Sequence, residues 1–313
     1  MEETMITTIS LNPSIDRTLE VQKLVPGSIN RVVQSHNTAG GKGINVALTA
    51  TGLGLDSQCI GFMYKEGSKL FEKRLMVNST AYNFIWCEGS VRTNMKIRDL
   101  ESNLITEVNE PGEPVTAEQL EKMTELVMLH AENSDYIVLT GSLPPGCPTD
   151  YYGKLIESVR AMGCRCVLDA EGAPMKEGIP ALPYMIKPNL YELELLTGKK
   201  LDSIQAVRNA AFKYIKQGIE IVAVSMGEKG ALITNGEESY FAPAINIDVK
   251  TTVGAGDAMV AALVAGCMGE YELDEILRMG IACGTARCTT EPTKSIDKTV
   301  YKAFLEMVQV EAI

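Results

Sequence analysis

The sequence predicts an α/β fold built around a mostly parallel sheet that helices cover on both faces. From residue 116 onward, short apolar segments alternate with amphipathic segments of about 12 to 16 residues that have helical spacing. This alternation indicates crossover units, because parallel strands need a long connection between them. Two polar, helix-poor segments, 12–37 and 87–110, interrupt the pattern. They predict a small second sheet beside the main one.

The elements of the core follow in chain order from their apolar spacing. Residues 5–11 are predicted as a first buried strand and 44–54 as a helix that ends at glycines. Thr116 is a typical N-cap for a helix over 116–131. The further predicted strands are 57–63, 135–141, 164–169, 184–188 and 220–227, and the further predicted helices are 149–163, 203–218, 255–269, 274–288 and 297–310.

The two polar segments are interpreted as a lid on this core. The stretch VRTNMKIRD (91–99) alternates in polarity, which is typical of a strand with one wet face. Long irregular loops remain the alternative. We therefore expect one domain over residues 1–313, with a lid formed from about 12–37 and 87–110. We also expect a homodimer through the lid, because a small sheet with an apolar face and free edges needs cover.

Composition and charge exclude several classes of partner. The net charge of −11 argues against binding to nucleic acid or to an anionic membrane, both of which need a basic surface. The 8 cysteines form no C-x-x-C pair and there are only 2 histidines, so a structural zinc site is not expected. Reduced thiols, no recognisable secretory signal and no apolar run near ~20 residues predict a cytoplasmic protein.

The stretch TTVGAGDAMVAALVAG (251–266) places a glycine turn before an apolar helix. Gly254 and Gly256 flank Ala255, so the backbone here can approach a ligand closely, and the helix start offers free amides to an anion. The chain lacks the G-x-x-x-x-G-K-[ST] loop, and Met259 breaks a G-x-G-x-x-G fingerprint. Asp257 is then either a helix cap or a base that accepts the proton of an attacking hydroxyl while the amides stabilise a phosphoryl group.

Five stretches, in this order along the chain, resemble the ribokinase-like (PfkB-type) sugar kinases: AGGKGINVA (39–47), GSLPPG (141–146), IKPNLYELE (186–194), VSMGEKGA (224–231) and TTVGAGDAMVAA (251–262). The resemblance covers essentially the whole chain. It implies a three-layer α/β/α core with a small β lid and transfer of the ATP γ-phosphate to a sugar hydroxyl. By this match Asp257 is the base, and the amides of residues 254–256 form the anion hole.

The remaining motifs have both a local explanation and a role that the resemblance implies. Paired glycines allow close approach to a polyol but also punctuate helix starts, and a lid arginine can hold a phosphate or form an ordinary ion pair. The candidate acceptor-site residues are Asp16, Gly40, Gly41, Lys42, Asn45 and Arg92.

On the nucleotide side, the resemblance implies that Lys187 contacts the phosphates and that Asn189 and Glu192 lie near Mg²⁺, directly or through water. The turn with Ser225, Gly227 and Gly230 is expected to contact the nucleotide, with an ordinary turn as the alternative. The expected ligands are thus ATP, Mg²⁺ and a sugar phosphate.

Within the family, the chain looks most like the branch that acts on phosphorylated ketohexoses. The stretches TISLNPSIDRTLEV, GGKGINVA and VRTNMKI carry this similarity, and Lys42 and Arg92 could hold the acceptor's phosphate. Fructose 1-phosphate is the leading acceptor, and tagatose 6-phosphate, an unphosphorylated sugar or a nucleoside stay open. A catalytically silent sugar-phosphate sensor on the same fold is the non-enzyme alternative.

Overall fold

The computed structural model describes residues 5–291 and 296–313, which form two sheets and ten named helices in that part of the chain. The strands are β1 Met5–Ser10, β2 Ser14–Val21, β3 Val32–Gly40, β4 Asp56–Glu66, β5 Ala81–Ser90, β6 Arg92–Asp99, β7 Ile105–Asn109, β8 Tyr136–Thr140, β9 Arg165–Asp169, β10 Met185–Ile186, β11 Ile221–Ser225, β12 Ala231–Thr234, β13 Ser239–Ala242 and β14 Glu311–Ala312. The helices are α1 Lys42–Leu53, α2 Ser68–Val77, α3 Ala117–Ala131, α4 Tyr151–Ala161, α5 Ala173–Gly178, α6 Leu190–Thr197, α7 Ile204–Ile215, α8 Ala255–Met268, α9 Leu273–Thr289 and α10 Lys298–Met307.

The large sheet has the order β14-β13-β12-β11-β10-β9-β8-β1-β4-β5. The strands β11, β10, β9, β8, β1, β4 and β5, which are neighbours in this order, pair in parallel. Strands β12, β13 and β14 add an antiparallel edge. Strand β8 shows why both faces are covered: Ile137 and Leu139 pack into one apolar cluster, whereas Tyr136 and Val138 pack into another. Because successive side chains point to opposite faces, the two clusters lie on opposite sides of the sheet. The predicted three-layer α/β core is confirmed.

Helix α8 lies in the middle of one of these layers. Every residue from Asp257 to Cys267 is buried, and the helix packs against α9 and α1. A helix that is apolar on all sides is stable only when neighbouring elements cover it completely. The start of α8 is therefore held rigidly, which matters for the site described below.

The small sheet consists of β2, β3, β6 and β7 in the order β3-β2-β6-β7. Both polar segments thus form strands, as predicted, although Cys87–Ser90 belongs to β5 of the large sheet. Alternation along β6 places Arg92, Asn94 and Lys96 on the same face, and all three line the main cleft. The opposite face carries the apolar side chains described with the proposed dimer below.

Several elements carry little sequence signal of their own. Helix α2 has a weakly amphipathic sequence, SKLFEKRLMV, and only three of its residues are buried, namely Ser68, Phe71 and Leu75. Strand β14 consists of two residues that become a strand by pairing with β13. Residues Ile179–Ala181 and Gly227–Lys229 form short 3₁₀ turns. No helix in the described ranges is long and apolar enough to cross a membrane.

Candidate active site

A cleft of about 1250 Å³ opens at the carboxyl ends of the parallel strands. Ser10 ends β1, Thr140 ends β8, Asp169 ends β9 and Ser225 ends β11, and all four line the cleft. The small sheet forms another wall of it. Open α/β sheets bind their ligands in this position, because the loops and helix starts that follow the strands converge there.

The cleft brings together the residues that the sequence motifs single out. Each of the predicted acceptor, nucleotide and metal residues lines it, with Gly40 as the exception. Gly40 lies behind Asp16, since a Cβ atom added at Gly40 would be 2.9 Å from the Asp16 carboxylate carbon. A glycine is needed there to let the strand pass the acid, so its contribution to the site is through Asp16.

Asp257 lies in the first turn of α8 and faces the cleft. The residue is only 6% exposed, and its Oδ2 accepts a hydrogen bond of 2.8 Å from Nδ2 of Asn45. Burial raises the pKa of Asp257, against the opposing attraction of Lys42 and the Asn45 hydrogen bond. A raised pKa suits a general base, because its proton affinity is closer to what the reaction requires.

The glycine turn before Asp257 presents backbone rather than side chains to the cleft. Gly254 is the N-cap of α8 and has φ 79°, a conformation that favours glycine. The Ala255 amide already donates to the carbonyl of Thr252 at 3.2 Å. The amides of Gly254 and Gly256 are therefore the ones that we expect to meet an anion. A Cβ atom added at Gly256 would lie 3.7 Å from Nζ of Lys187, so a buried cation lies beside this turn.

Asp169 is the main site residue that motif reasoning missed. It is 2% exposed and forms ion pairs with Lys187 at 3.2 Å and with Lys42 at 3.6 Å, and it accepts a hydrogen bond of 3.0 Å from Thr140. Burial alone would raise the pKa of Asp169, but the two lysines and Thr140 outweigh it and lower that pKa. Its position at the end of a buried strand was the available signal, because ligands bind at those ends.

The Asp169 carboxylate also keeps Lys42 protonated. Attraction to Asp169 is the largest cause that raises the pKa of Lys42, and Asp257 and Glu192 add to it. The Lys42 side chain is 34% exposed, so its ammonium group reaches the cleft. Lys42 therefore stays charged at the floor of the cleft, close to the proposed base.

Asp16 has a partner that the motifs did not single out. Its Oδ2 accepts from Nζ of Lys96 at 2.9 Å, and its Oδ1 accepts from the Ser14 hydroxyl at 3.0 Å. Both charged side chains are largely buried on the cleft side of the small sheet. The alternation that predicts β6 places Lys96 on the same face as Arg92, so this lysine could have been found from the strand pattern.

Arg92 connects the small sheet to the core. Its Nη1 donates to the Glu110 carbonyl at 2.8 Å, and its Nη2 donates to the Asn12 carbonyl and the Ser142 hydroxyl, each at 3.2 Å. Burial lowers the pKa of Arg92. These three acceptors are neutral oxygens, so the arginine remains able to attract an anion.

Asn189 and Glu192 form a capping box at the start of α6. The Asn189 side chain accepts from the Glu192 amide and the Glu192 carboxylate accepts from the Asn189 amide, both at 2.8 Å. Both residues therefore serve the helix start, and both also line the cleft. Burial raises the pKa of Glu192. Within residues 5–291 and 296–313, no group of three or more acidic, histidine or cysteine side chains could hold a metal.

The predicted nucleotide-side turn lies between β11 and β12. Ser225 pairs with Asn189, which links this turn to the start of α6. Gly227 has φ 59°, and a Cβ atom added at Gly230 would lie 2.0 Å from the carbonyl oxygen of Ala242. Both glycines are thus required by the backbone, and both line the cleft. The turn is shaped so that its backbone can face a ligand.

The cleft lies at the end of a parallel sheet and contains a buried acid at a helix start, with buried cations nearby. This combination is typical of enzymes that transfer phosphoryl groups to small molecules. The family model described as "pfkB family carbohydrate kinase" matches residues 4–299, and the chain belongs to this family.

Individual relatives agree with the family assignment. The chain is 33% identical over 294 residues to the 1-phosphofructokinase of Xanthomonas campestris pv. campestris, covering 92% of each chain. It is 29% identical to the tagatose-6-phosphate kinase of Staphylococcus epidermidis, covering 98% of this chain and 98% of that protein. Among solved structures, phosphofructokinase-2 from Escherichia coli in complex with substrates and products superposes with a TM-score of 0.91 at 25% identity, covering 97% of this chain and 99% of the other.

Proposed function

We propose that this carbohydrate kinase uses ATP to phosphorylate the 6-hydroxyl of fructose 1-phosphate, which yields fructose 1,6-bisphosphate. The single observation that carries the proposal is Asp257, a buried carboxylate with a raised pKa that faces the cleft beside a helix start. The names of the relatives support a phosphorylated ketohexose as the acceptor.

The proposed step is a direct transfer. The acceptor hydroxyl gives its proton to Asp257 while its oxygen attacks the γ-phosphorus, and the bond from that phosphorus to the β–γ bridging oxygen breaks. The amides of Gly254 and Gly256 stabilise the phosphoryl oxygens, and Lys187 offsets the charge that develops on the departing ADP. Lys42 attracts the Asp257 carboxylate and so favours its deprotonated form, which is the form that can accept the proton.

Magnesium belongs to the same proposal. This ion is usually held by one or two carboxylates together with phosphate oxygens and waters, so a full cage of protein ligands is not required. Glu192 and Asn189 fit that mode: they line the cleft, but their oxygens already serve the capping box, which favours contact through water. When bound, the ion would neutralise phosphate charge.

The acceptor would occupy the side of the cleft formed by the small sheet. Asn12 Oδ1, Asn94 Oδ1 and Arg92 Nε are buried there and lack a hydrogen-bond partner among the described residues. Buried polar groups normally have partners, so these atoms indicate a polar ligand such as a sugar. Asp16, held by Lys96, can accept from two sugar hydroxyls, while Arg92 can attract the acceptor's phosphate.

The direct test of the proposal is a coupled ADP-release assay across a panel of acceptors. We expect fructose 1-phosphate to have the highest kcat/KM, with tagatose 6-phosphate, fructose and nucleosides lower. Equal activity with unphosphorylated fructose would remove the role given to the cationic residues. Tagatose 6-phosphate is the second candidate, supported by its named relative, and higher kcat/KM with it would replace the first. A silent sensor would release no ADP with any of them.

Replacing Arg92 should affect the acceptor more than the nucleotide. We expect Arg92→Ala to raise the KM for fructose 1-phosphate roughly 10-fold, because a charge-assisted hydrogen bond contributes about 1.5–3 kcal/mol, and to leave the KM for ATP almost unchanged. Steady-state kinetics with each substrate varied in turn measure both values.

Arg98→Ala is the matched control for this substitution. Arg98 lies on the same strand, and its guanidinium contacts Asn103 at 3.0 Å and Glu20 at 3.4 Å away from the cleft. It should leave both KM values unchanged. Parallel increases in the two KM values for Arg92→Ala would show that Arg92 acts by joining the small sheet to the core.

The proposal also includes a homodimer formed through the small sheet, and a cytoplasmic location. On the face opposite Lys96, Leu19 pairs with Ile97 and Met95 pairs with Val108, which gives an apolar surface of which Val108 is 53% exposed. Such a surface fits a second copy of the same chain.

Light scattering at micromolar concentration should therefore give the mass of a dimer. Val108→Lys should shift it toward the monomer, since a lysine from each copy would be placed in an apolar contact. Leu129→Lys is the control, because Leu129 is similarly exposed at 57% but lies on α3. A monomeric unmodified protein would exclude this interface.

A further inference from the structure

The proposed base does not stand alone: a three-residue chain of hydrogen bonds runs behind it, away from the cleft. Asn45 Nδ2 donates to Asp257 Oδ2 at 2.8 Å, and Asn45 Oδ1 accepts from Nη1 of Arg74 at 3.2 Å. Arg74 belongs to α2, none of whose residues lines the main cleft. We propose that Arg74 is a positioning residue that fixes the Asn45 amide in the one orientation in which it supports the base. This inference rests on the proposed role of Asp257.

Hydrogen-bond chemistry allows only one orientation of the Asn45 amide between Arg74 and Asp257. An ionised carboxylate can only accept, a guanidinium can only donate, and a primary amide has one end of each kind. With Arg74 on one side and Asp257 on the other, the Asn45 oxygen must face the arginine and its NH₂ group must face the acid. The reversed amide would place two oxygens against each other and two donors against each other, at a buried site where unpaired polar groups are costly.

Arg74 is itself well placed to act in this way. The same Nη1 also donates to the carbonyl of Ala39, immediately before the glycine pair that leads into α1. Burial lowers the pKa of Arg74 to about 10, with Arg287 contributing, so the side chain still carries its charge at neutral pH. Arg74 thus holds both the entry to α1 and the amide that α1 presents to Asp257.

Removing Arg74 should change the pKa of Asp257 and not only the stability of the protein. The Asn45 hydrogen bond lowers the pKa of Asp257 against the effect of burial. Without Arg74 the amide is free to turn and that bond is lost part of the time. The direct attraction between the Arg74 charge and Asp257 is lost as well, so the pKa of Asp257 rises further. Since the base must be deprotonated, the acidic limb of the kcat profile should move to higher pH.

A double-mutant cycle with Arg74→Met and Asn45→Ala separates this role from general packing. We expect Arg74→Met alone to lower kcat on the order of 10-fold, a value within the coupling range of residues in one hydrogen-bond network. It should change the KM for ATP little and raise the pH of the acidic limb. In the Asn45→Ala protein, the same arginine substitution should cause a much smaller loss of kcat, because the amide is gone and only the direct attraction between Arg74 and Asp257 is left to lose.

Arg160→Met is the matched control, because Arg160 donates to the Ala181 carbonyl at 2.8 Å from α4 and lies outside the cleft. It should leave kcat and the pH profile unchanged. If Arg74→Met does not fold, Arg74→Lys takes its place in the cycle, since it keeps the charge but loses the planar fork.

An arginine substitution that has the same effect on kcat with and without the Asn45 amide, or an acidic limb that does not move, would overturn the proposal. Failure here is distinguishable from failure of the proposed function. If Asp257→Asn abolishes turnover while the cycle is additive, only the positioning role of Arg74 is lost. If Asp257→Asn leaves turnover intact, the base assignment itself fails.

Discussion

Asp257→Asn should lower kcat by roughly 10²–10⁴, the usual contribution of a positioned general base, while ATP binding is retained. The amide keeps the shape of the side chain but cannot accept the hydroxyl proton. The fold should not suffer, because burial raises the pKa of Asp257 and its ionised form is thus held at some cost to stability. Single-turnover kinetics and a thermal melt measure the two effects.

Asp274→Asn is the matched control for this substitution. Asp274 occupies the first turn of the neighbouring helix α9, so the same change is made at the same kind of helix position, outside the cleft. It should leave turnover unchanged. If Asp257→Asn behaves in the same way and alters only stability, by about 0.3–1 kcal/mol, Asp257 is a helix cap and not a base.

Asp169→Asn is expected to have the largest effect on stability. Asp169 is the shared partner of Lys42 and Lys187, and the Lys187 side chain is only 5% exposed. Removing one member of a buried ion pair typically costs about 3–5 kcal/mol, because the remaining charge is left uncompensated. Urea unfolding at pH 7 should show a loss of that size, with the slope unchanged.

The pH dependence of that loss has a definite sign. The folded state lowers the pKa of Asp169 below its ordinary value of 3.8, so the carboxylate contributes stability at neutral pH that disappears as the pH falls through the folded-state pKa. The difference between the two proteins should therefore be constant near neutrality and shrink below about pH 4.

The surface pair Asp150–Lys154 is the control for this prediction. Its atoms are 2.9 Å apart but both side chains are well exposed, so Asp150→Asn should cost less than about 1 kcal/mol. An equally small effect of Asp169→Asn would mean that water compensates the two lysines and that Asp169 does not hold them in place.

Most of the fold follows from patterns that are local in the chain. Apolar strands and amphipathic helices can be recognised from the periodicity of their apolar residues, so β1, α3 and α9 lie close to their predicted positions. Two of the elements that were missed, β14 and α2, are defined by their partners in the fold. Strand β14 exists because residues 311–312 reach the edge of β13. Helix α2 buries only Phe71 and Leu75 of its five apolar residues, so its apolar pattern does not mark its buried face.

The site divides in the same way. Glycine motifs, the acid after them and the capping box are continuous stretches with a recognisable chemistry, so Gly254, Asp257 and Asn189 could be identified from the letters alone. Asp169 and Arg74 stand in ordinary surroundings in the sequence, with no motif around them. Only the folded structure shows that Asp169 contacts Lys187 and that Arg74 contacts Asn45.

The sequence by itself determined the fold class, the polar small sheet and the residue types that could carry phosphoryl transfer, because these depend on periodicity and on short contiguous motifs. Only the tertiary structure decided which charges neutralise one another and which side chains form hydrogen bonds behind Asp257. Those interactions join residues such as Asn45 and Asp257, which are separated by 212 positions in the chain. The energies of these interactions depend on distance and burial in the folded protein, and the order of residues in the sequence gives neither quantity.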